Sequence, residues 1–201
     1  MEIRTFDRHL DGTEAVEHTS NLSAMRYLRY VLREKFGIGA DLSDPTVYVV
    51  YYPDYILYTS VEYRRLWTTE SHKFLVGVDA ITGNVGEVDV ELPDSHVRDV
   101  DRDARIEPQL TEADAREEWN EWIFDYMSRK YRAMKLREYV IDDIELVYTP
   151  YWIIDNGSIE ESLAVSDLTR RTAKVEEIRV IREFYTDHLS KNQPAAISEV
   201  R

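Results

Sequence analysis

An internal repeat constrains the fold of this chain more than any other feature. The segment "VVYYPDYIL" (49–57) lies over "LVYTPYWII" (146–154), matching Val50 with Val147, Tyr51 with Tyr148, Pro53 with Pro150, Tyr55 with Trp152 and Ile56 with Ile153. Further on, "VGVDAITGNVGEV" (76–88) lies over "LAVSDLTRRTAKV" (163–175), matching Val78 with Val165, Thr82 with Thr169 and Val88 with Val175. The spacing between the blocks is ten residues shorter in the second copy, a difference that a hairpin loop absorbs. The preceding segments match too. Ala24, Tyr27, Leu28, Val31, Leu32 and Phe36 recur at helical spacing, and Trp119, Trp122, Ile123, Tyr126, Met127 and Tyr131 repeat them 95 residues later.

Each copy therefore reads as one helix followed by three antiparallel strands, near 46–62, 72–79 and 85–91 in the first copy and 144–155, 158–167 and 172–179 in the second. Ser20 or Asn21 marks the first helix start, and Thr111 followed by Asp114 marks the second with a capping-box pattern. Pro53 and Pro150 cannot donate to a ladder, so each predicts an edge or a bulge. Asn156-Gly157 is the pair favoured by a two-residue type I′ hairpin. Gly83 supplies a left-handed residue to the turn "DAITGN"; its counterpart is Arg170, so the second copy's turn is expected to differ. A short helix near 181–190 ends the pattern. The predicted class is α+β, two αβββ repeats, each a helix packed on a three-stranded antiparallel sheet. The first repeat with an N-terminal extension takes 1–92, an acidic linker bracketed by Pro93 and Pro108 takes 93–110, and the second repeat with its short helix takes 111–191. Residues 192–201 form a loose tail. A helix on three strands has little core of its own, so the copies are expected to pack together.

The helix-then-three-strands unit, with "YYP" and the "VDAITGNV" turn in the first copy and "YTP" in the second, resembles the PepSY-type, cystatin-like domains. The resemblance covers residues 20–91 and 111–180. It implies a helix lying against a curled antiparallel sheet, and binding or inhibition rather than chemistry. It brings no catalytic residues with it.

Charge narrows the partners. The net charge is −14, and only six of the 25 basic residues are lysine. Abundant carboxylates with arginine favoured over lysine match a halophile-type surface. Such a surface repels itself at low salt and is screened at molar salt, where the Debye length falls to about 3 Å. The same charge argues against nucleic acid, whose phosphates are bound by clustered Lys and Arg. The short basic clusters, Arg64–Arg65 among them, read as solvated surface. The N-terminal stretch shows no secretory h-region and no run is long and apolar enough to span a bilayer, so a cytoplasmic location is expected. Cysteine is absent, which excludes disulfides, thiolate metal sites and cysteine nucleophiles.

Candidate chemistry is sparse. His9, His18, His72, His96 and His188 include no helical pair, and no HExxH occurs. Asp99, Asp101 and Asp103 alternate like the start of a calcium loop, but Ala104 and Leu110 stand where an EF-hand needs Gly and Glu. No G-x-S-x-G, Walker or G-x-G-x-x-G motif is present. The carboxylate pairs Glu117–Glu118 and Glu160–Glu161 are sequence neighbours and point apart. No metal, cofactor or catalytic residue is predicted. The aromatic stripe remains. Tyr51, Tyr55, Tyr148 and Trp152 are the candidate lining of a ligand or partner groove, weighed against plain core packing. The expected function is a non-catalytic binding or protein-interaction module whose partner is another protein or a second copy of the chain. The alternative is a small-molecule hydrolase or transferase with its site in a groove between the repeats.

Overall fold

A computed structural model describes residues 1–20 and 46–189. The helix expected near 21–36 and the tail 192–201 lie outside the described residues. The fold is mixed α and β, with a large sheet system of eight strands and three α-helices among the described residues. Two contact units divide it. The first comprises Met1–Asp7, Tyr51–Val100 and Arg105–Thr149, and the second Arg8–Val50, Asp101–Ala104 and the chain from Pro150 onward.

The first unit is built on six strands in the order β4-β3-β2-β6-β1-β5, rather than on the three expected. Strands β1 (Glu2–Phe6), β3 (Thr68–Asp79), β4 (Val85–Glu87) and β5 (Ser95–Asp99) lie within it. The long strands β2 (Thr46–Arg65) and β6 (Lys135–Asp155) contribute their parts from Tyr51 onward and up to Thr149. Twelve residue pairs, from Asp54 with Asp79 to Arg65 with Thr68, zip β2 and β3 into a long hairpin. Strand β1 runs antiparallel to β5 over five pairs and meets β6 in parallel at Thr5 and Tyr148, where the Thr5 hydroxyl donates to the Tyr148 carbonyl at 2.8 Å. The stretch 93–110, expected as an acidic linker, therefore carries a strand. Its alternating charges hid a five-residue element too short to show a period.

One helix, α1 (Gly12–Ser20), precedes β2; the next, α2 (Glu112–Tyr131), covers one face of the β2–β3 hairpin. Ala115, Trp119, Ile123 and Met127 recur every four residues and are buried against Tyr55, Leu57, Val61, Tyr63, Val76 and Val78. Each large side chain fully buried there contributes on the order of 1.5–3 kcal/mol. The cap signalled by the sequence forms: the Asp114 N–H donates to Thr111 Oγ1 at 3.3 Å and the Thr111 N–H to Asp114 Oδ2 at 2.7 Å. Arg132 ends the helix in the left-handed region at φ 54°. The helix expected to cover the second set of strands thus packs on the first set.

The second unit holds α1, the start of β2, the end of β6, β7 (Leu163–Ser166), β8 (Thr172–Lys174) and α3 (Arg179–Phe184). Its core gathers Ala15, Trp152, Ile154 and Val165, with Val47, Val49 and Leu163 around them. Reciprocal bonds between Asp11 and Glu14 cap α1. Asn156-Gly157 does not make the expected two-residue hairpin. The ladder stops at Ile154 and Leu163, and a wider loop follows. Buried Asp155 organises that loop, accepting from the Gly157 N–H at 2.8 Å, the Tyr185 hydroxyl at 2.7 Å and the Ser162 hydroxyl at 3.3 Å.

The β7–β8 turn departs from expectation in the opposite way, by not differing. In the β3–β4 turn the Asp79 N–H donates to Asn84 O, the Gly83 N–H to Asp79 O, and Gly83 sits at φ 74°. In the β7–β8 turn the Ser166 N–H donates to Arg171 O, the Arg170 N–H to Ser166 O, and Arg170 sits at φ 55°. A left-handed non-glycine residue costs about 1–2 kcal/mol. Ser166 helps hold it there, because its hydroxyl accepts from the Thr169 N–H at 3.2 Å, much as the Asp79 carboxylate accepts from the Thr82 N–H at 3.1 Å.

Candidate functional site

Alternation along β2 separates two jobs. Tyr55 and Leu57 face α2, while Ile56 and Tyr58 point to the other side of the sheet. On that side of the first unit lies an open groove of about 440 Å³. Ile56 and Leu75 from the hairpin, Val147 from β6 and Phe6 from β1 supply an apolar lining, with half-exposed Tyr58 beside them. The segment Val90–Ser95 forms a wall. Pro93 suits such a segment, since it lacks an N–H and fixes its own φ. Three carboxylates line the groove: Glu91, Asp94 and Glu145. Glu145 has a cation nearby, Arg4 Nη1 at 3.8 Å. The site is an open slot of mixed polarity, lined together by apolar side chains from four strands and by three carboxylates.

Also on the Ile56 side of β2, Tyr52 and Asp54 form an acidic cluster that sequence spacing did not reveal. The register sets Asp54 directly opposite Asp79. The Tyr52 hydroxyl donates to both Asp79 oxygens, at 3.1 and 2.9 Å, and the Thr149 hydroxyl donates to Asp54 Oδ2 at 3.0 Å. Burial pushes the half-buried Asp54 carboxyl up to about 7; the Asp79 charge adds to the rise and the Thr149 hydrogen bond opposes it. Converging carboxylates therefore do exist, although the adjacent Glu pairs in the sequence gave no hint of them. Neither Asp54 nor Asp79 lines the groove.

The four aromatic residues singled out from the sequence all turn inward. Tyr51 is 2% exposed, Tyr148 3%, Tyr55 7% and Trp152 7%. The Tyr51 carbonyl accepts from the Ile106 N–H at 3.0 Å, and the Tyr55 hydroxyl donates to the Leu110 carbonyl at 3.1 Å. In the second unit, Trp152 Nε1 donates to Asp167 Oδ1 at 3.0 Å under the Arg8 guanidinium. The same Asp167 carboxylate, also buried, accepts from the N–H groups of His9 and Leu10 at 2.7 and 3.0 Å, tying the chain entering α1 to β7.

The exposed aromatic surface is elsewhere, at the tip of the β2–β3 hairpin. Trp67 is 90% exposed and Leu66 66%, and Leu66 adopts φ 52°. Arg64 and Arg65 flank them, and Met134, 72% exposed, donates its N–H to the Arg64 carbonyl at 2.9 Å. Turn residues with positive φ are ordinarily Gly, Asn or Asp, which is why Leu-Trp carried no hairpin signal.

Among the described residues no group of three or more His, Cys, Asp and Glu side chains is placed to hold a metal ion, and no helix is long and apolar enough to cross a membrane. Comparison of the chain with protein-family models, with curated proteins and with solved structures found no match.

Proposed function

We propose that the chain is a non-catalytic binding module, and that its site is the groove on the Ile56 side of the first unit's sheet. The observation that carries this is the pairing of an apolar lining with three carboxylates around about 440 Å³ of open volume. Such a slot selects a ligand with one apolar, preferably planar, body and a positive charge, because the lining supplies burial and the rim supplies sign. The PepSY-like reading agrees with a binding role. The internal duplication is supported separately by ladders that repeat their register: Tyr55 pairs with Val78 and Trp152 with Val165, while Val78 pairs with Val85 and Val165 with Thr172. Duplication of a βββ element, each with its own turn, accounts for that match. The acidic, arginine-favouring composition supports a salt-rich setting for the module, with a cytoplasmic location as part of the same proposal.

Tryptamine, indole and indole-3-acetate form the test series, since they share one ring and differ in charge. Titration calorimetry on the full chain should show tryptamine binding most tightly and indole-3-acetate most weakly. The tryptamine preference should fall severalfold in E91Q/D94N and in high salt. Equal affinity for all three, or preference for the anion, would remove the groove as a cation-selecting site.

A further inference from the structure

We infer that the groove's natural occupant is the Arg64–Trp67 hairpin tip of a second copy of this chain, an inference that rests on the groove being a binding site. The tip has the chemistry the groove asks for. Leu66 is two-thirds exposed and Trp67 nearly bare, and two exposed arginines precede them, Arg64 Nε donating to the Leu66 carbonyl at 3.2 Å. The turn itself is built at a cost. Leu66 holds a left-handed conformation that glycine adopts freely, and its side chain is two-thirds exposed, so folding of the single chain gains little from it. A residue retained against local preference, beside a nearly bare tryptophan, fits contact made with another molecule.

The tip cannot fill its own groove. Ile56 and Tyr58 belong to the same β2 strand that ends at the tip, and Tyr58 is eight residues from Leu66. At about 3.3 Å per residue the ladder holds the two roughly 26 Å apart. Twelve cross-strand pairs keep the hairpin from folding back. The occupant must therefore come from another molecule. Charge selects which kind. A net charge of −14 disfavours anionic lipid and nucleic acid and also repels a second copy at long range, so what favours that copy is the local match of Arg64 and Arg65 with a slot lined by Glu91, Asp94 and Glu145. This chain carries that slot itself. Because tip and groove lie on one hairpin at one separation, two hairpins laid side by side in opposite directions about a two-fold axis set each tip at the other's groove. The contact closes at a dimer instead of growing into a filament.

Sedimentation velocity on the full chain, from low micromolar to near-millimolar concentration and at low and high salt, tests this. The chain should dimerise. W67A and R64E/R65E should each weaken the dimer at least about tenfold without loss of folding, since these side chains are exposed. E91K/D94K should do the same from the groove side. Mixing R64E/R65E with E91K/D94K should restore association, because both tip–groove contacts of the mixed pair are then of opposite sign, whereas either variant paired with wild type keeps only one of the two contacts. A chain that stays monomeric throughout, or a dimer indifferent to W67A, overturns the inference. If tryptamine still binds the groove of that monomer, the binding-module function stands and only the occupant is wrong. If tryptamine fails to bind as well, both fall.

Discussion

Replacing Asp54 with asparagine should make the protein more stable at neutral and alkaline pH and leave it unchanged in acid. In the folded chain this carboxyl is pushed from 3.8 up to about 7, mainly by burial, with the Asp79 charge adding to it. Below pH 4 it is protonated in both the folded and unfolded states and contributes nothing to pH dependence. Between 4 and 7 the unfolded chain releases the proton while the folded chain keeps it, so stability declines by about 1.4 kcal/mol per pH unit. Above 7 the full penalty is in place. A shift of about three units corresponds to about 4 kcal/mol, and partial solvation of the half-buried carboxyl reduces that to between about 2 and 4. Asparagine stays neutral at every pH and still offers an oxygen to the Thr149 hydroxyl, so the hydrogen bond survives. Urea unfolding followed by circular dichroism, on wild type and D54N from about pH 4 to 8.5, measures the difference directly. It should be near zero at the acid end and level off at the alkaline end. A stability gain that is the same at both ends, or a loss at the alkaline end, would refute burial as the cause.

Truncation of Asp167 to alanine strips the acceptor from one buried donor, Trp152 Nε1, and from two part-buried ones, the N–H groups of His9 and Leu10. It should cost about 2–3 kcal/mol in urea unfolding, whereas D167N should recover part of that loss. The two turns should respond oppositely to substitution: R170G stabilises by about 1 kcal/mol, and G83A destabilises by at least as much. An alanine Cβ at position 83 would also stand 3.2 Å from the Glu118 carboxylate. Thermal melts should rise steadily as KCl goes from ~0.1 M to ~3 M, in keeping with a halophile-type surface; a flat or falling profile would leave only an acidic protein.

What could be read from the sequence was what is long and periodic. The strands around Pro53 and Pro150 and the Thr111-capped α2 stand where their apolar spacing puts them. Strands β1 and β5 are five residues each and mix charges with apolar positions, so no window is wide enough to show them. The first half of β6, "KLREYVIDD", is rich in charge because its residues are mostly partly or fully exposed. The groove was illegible for a different reason. Its lining draws on β1, β2, β3 and β6 together, and only strand order and register bring Phe6, Ile56, Leu75 and Val147 to one place. The Asp54–Asp79 pair likewise exists only once the ladder fixes which residue faces which. Tyr51, Tyr55, Tyr148 and Trp152 stood out as aromatic, but nothing in a strand's alternation says which of its two faces will be covered. Both units spent these rings on their interiors.

Each unit's interior is organised around one indole: Trp119 in the first, 2% exposed, and Trp152 in the second, 7% exposed. The chain therefore carries a separate optical reporter for each unit. With the other indoles replaced by phenylalanine, emission from Trp119 alone or Trp152 alone follows the loosening of one core at a time. Coincident midpoints in the two versions would mark a single cooperative transition, and separated midpoints two.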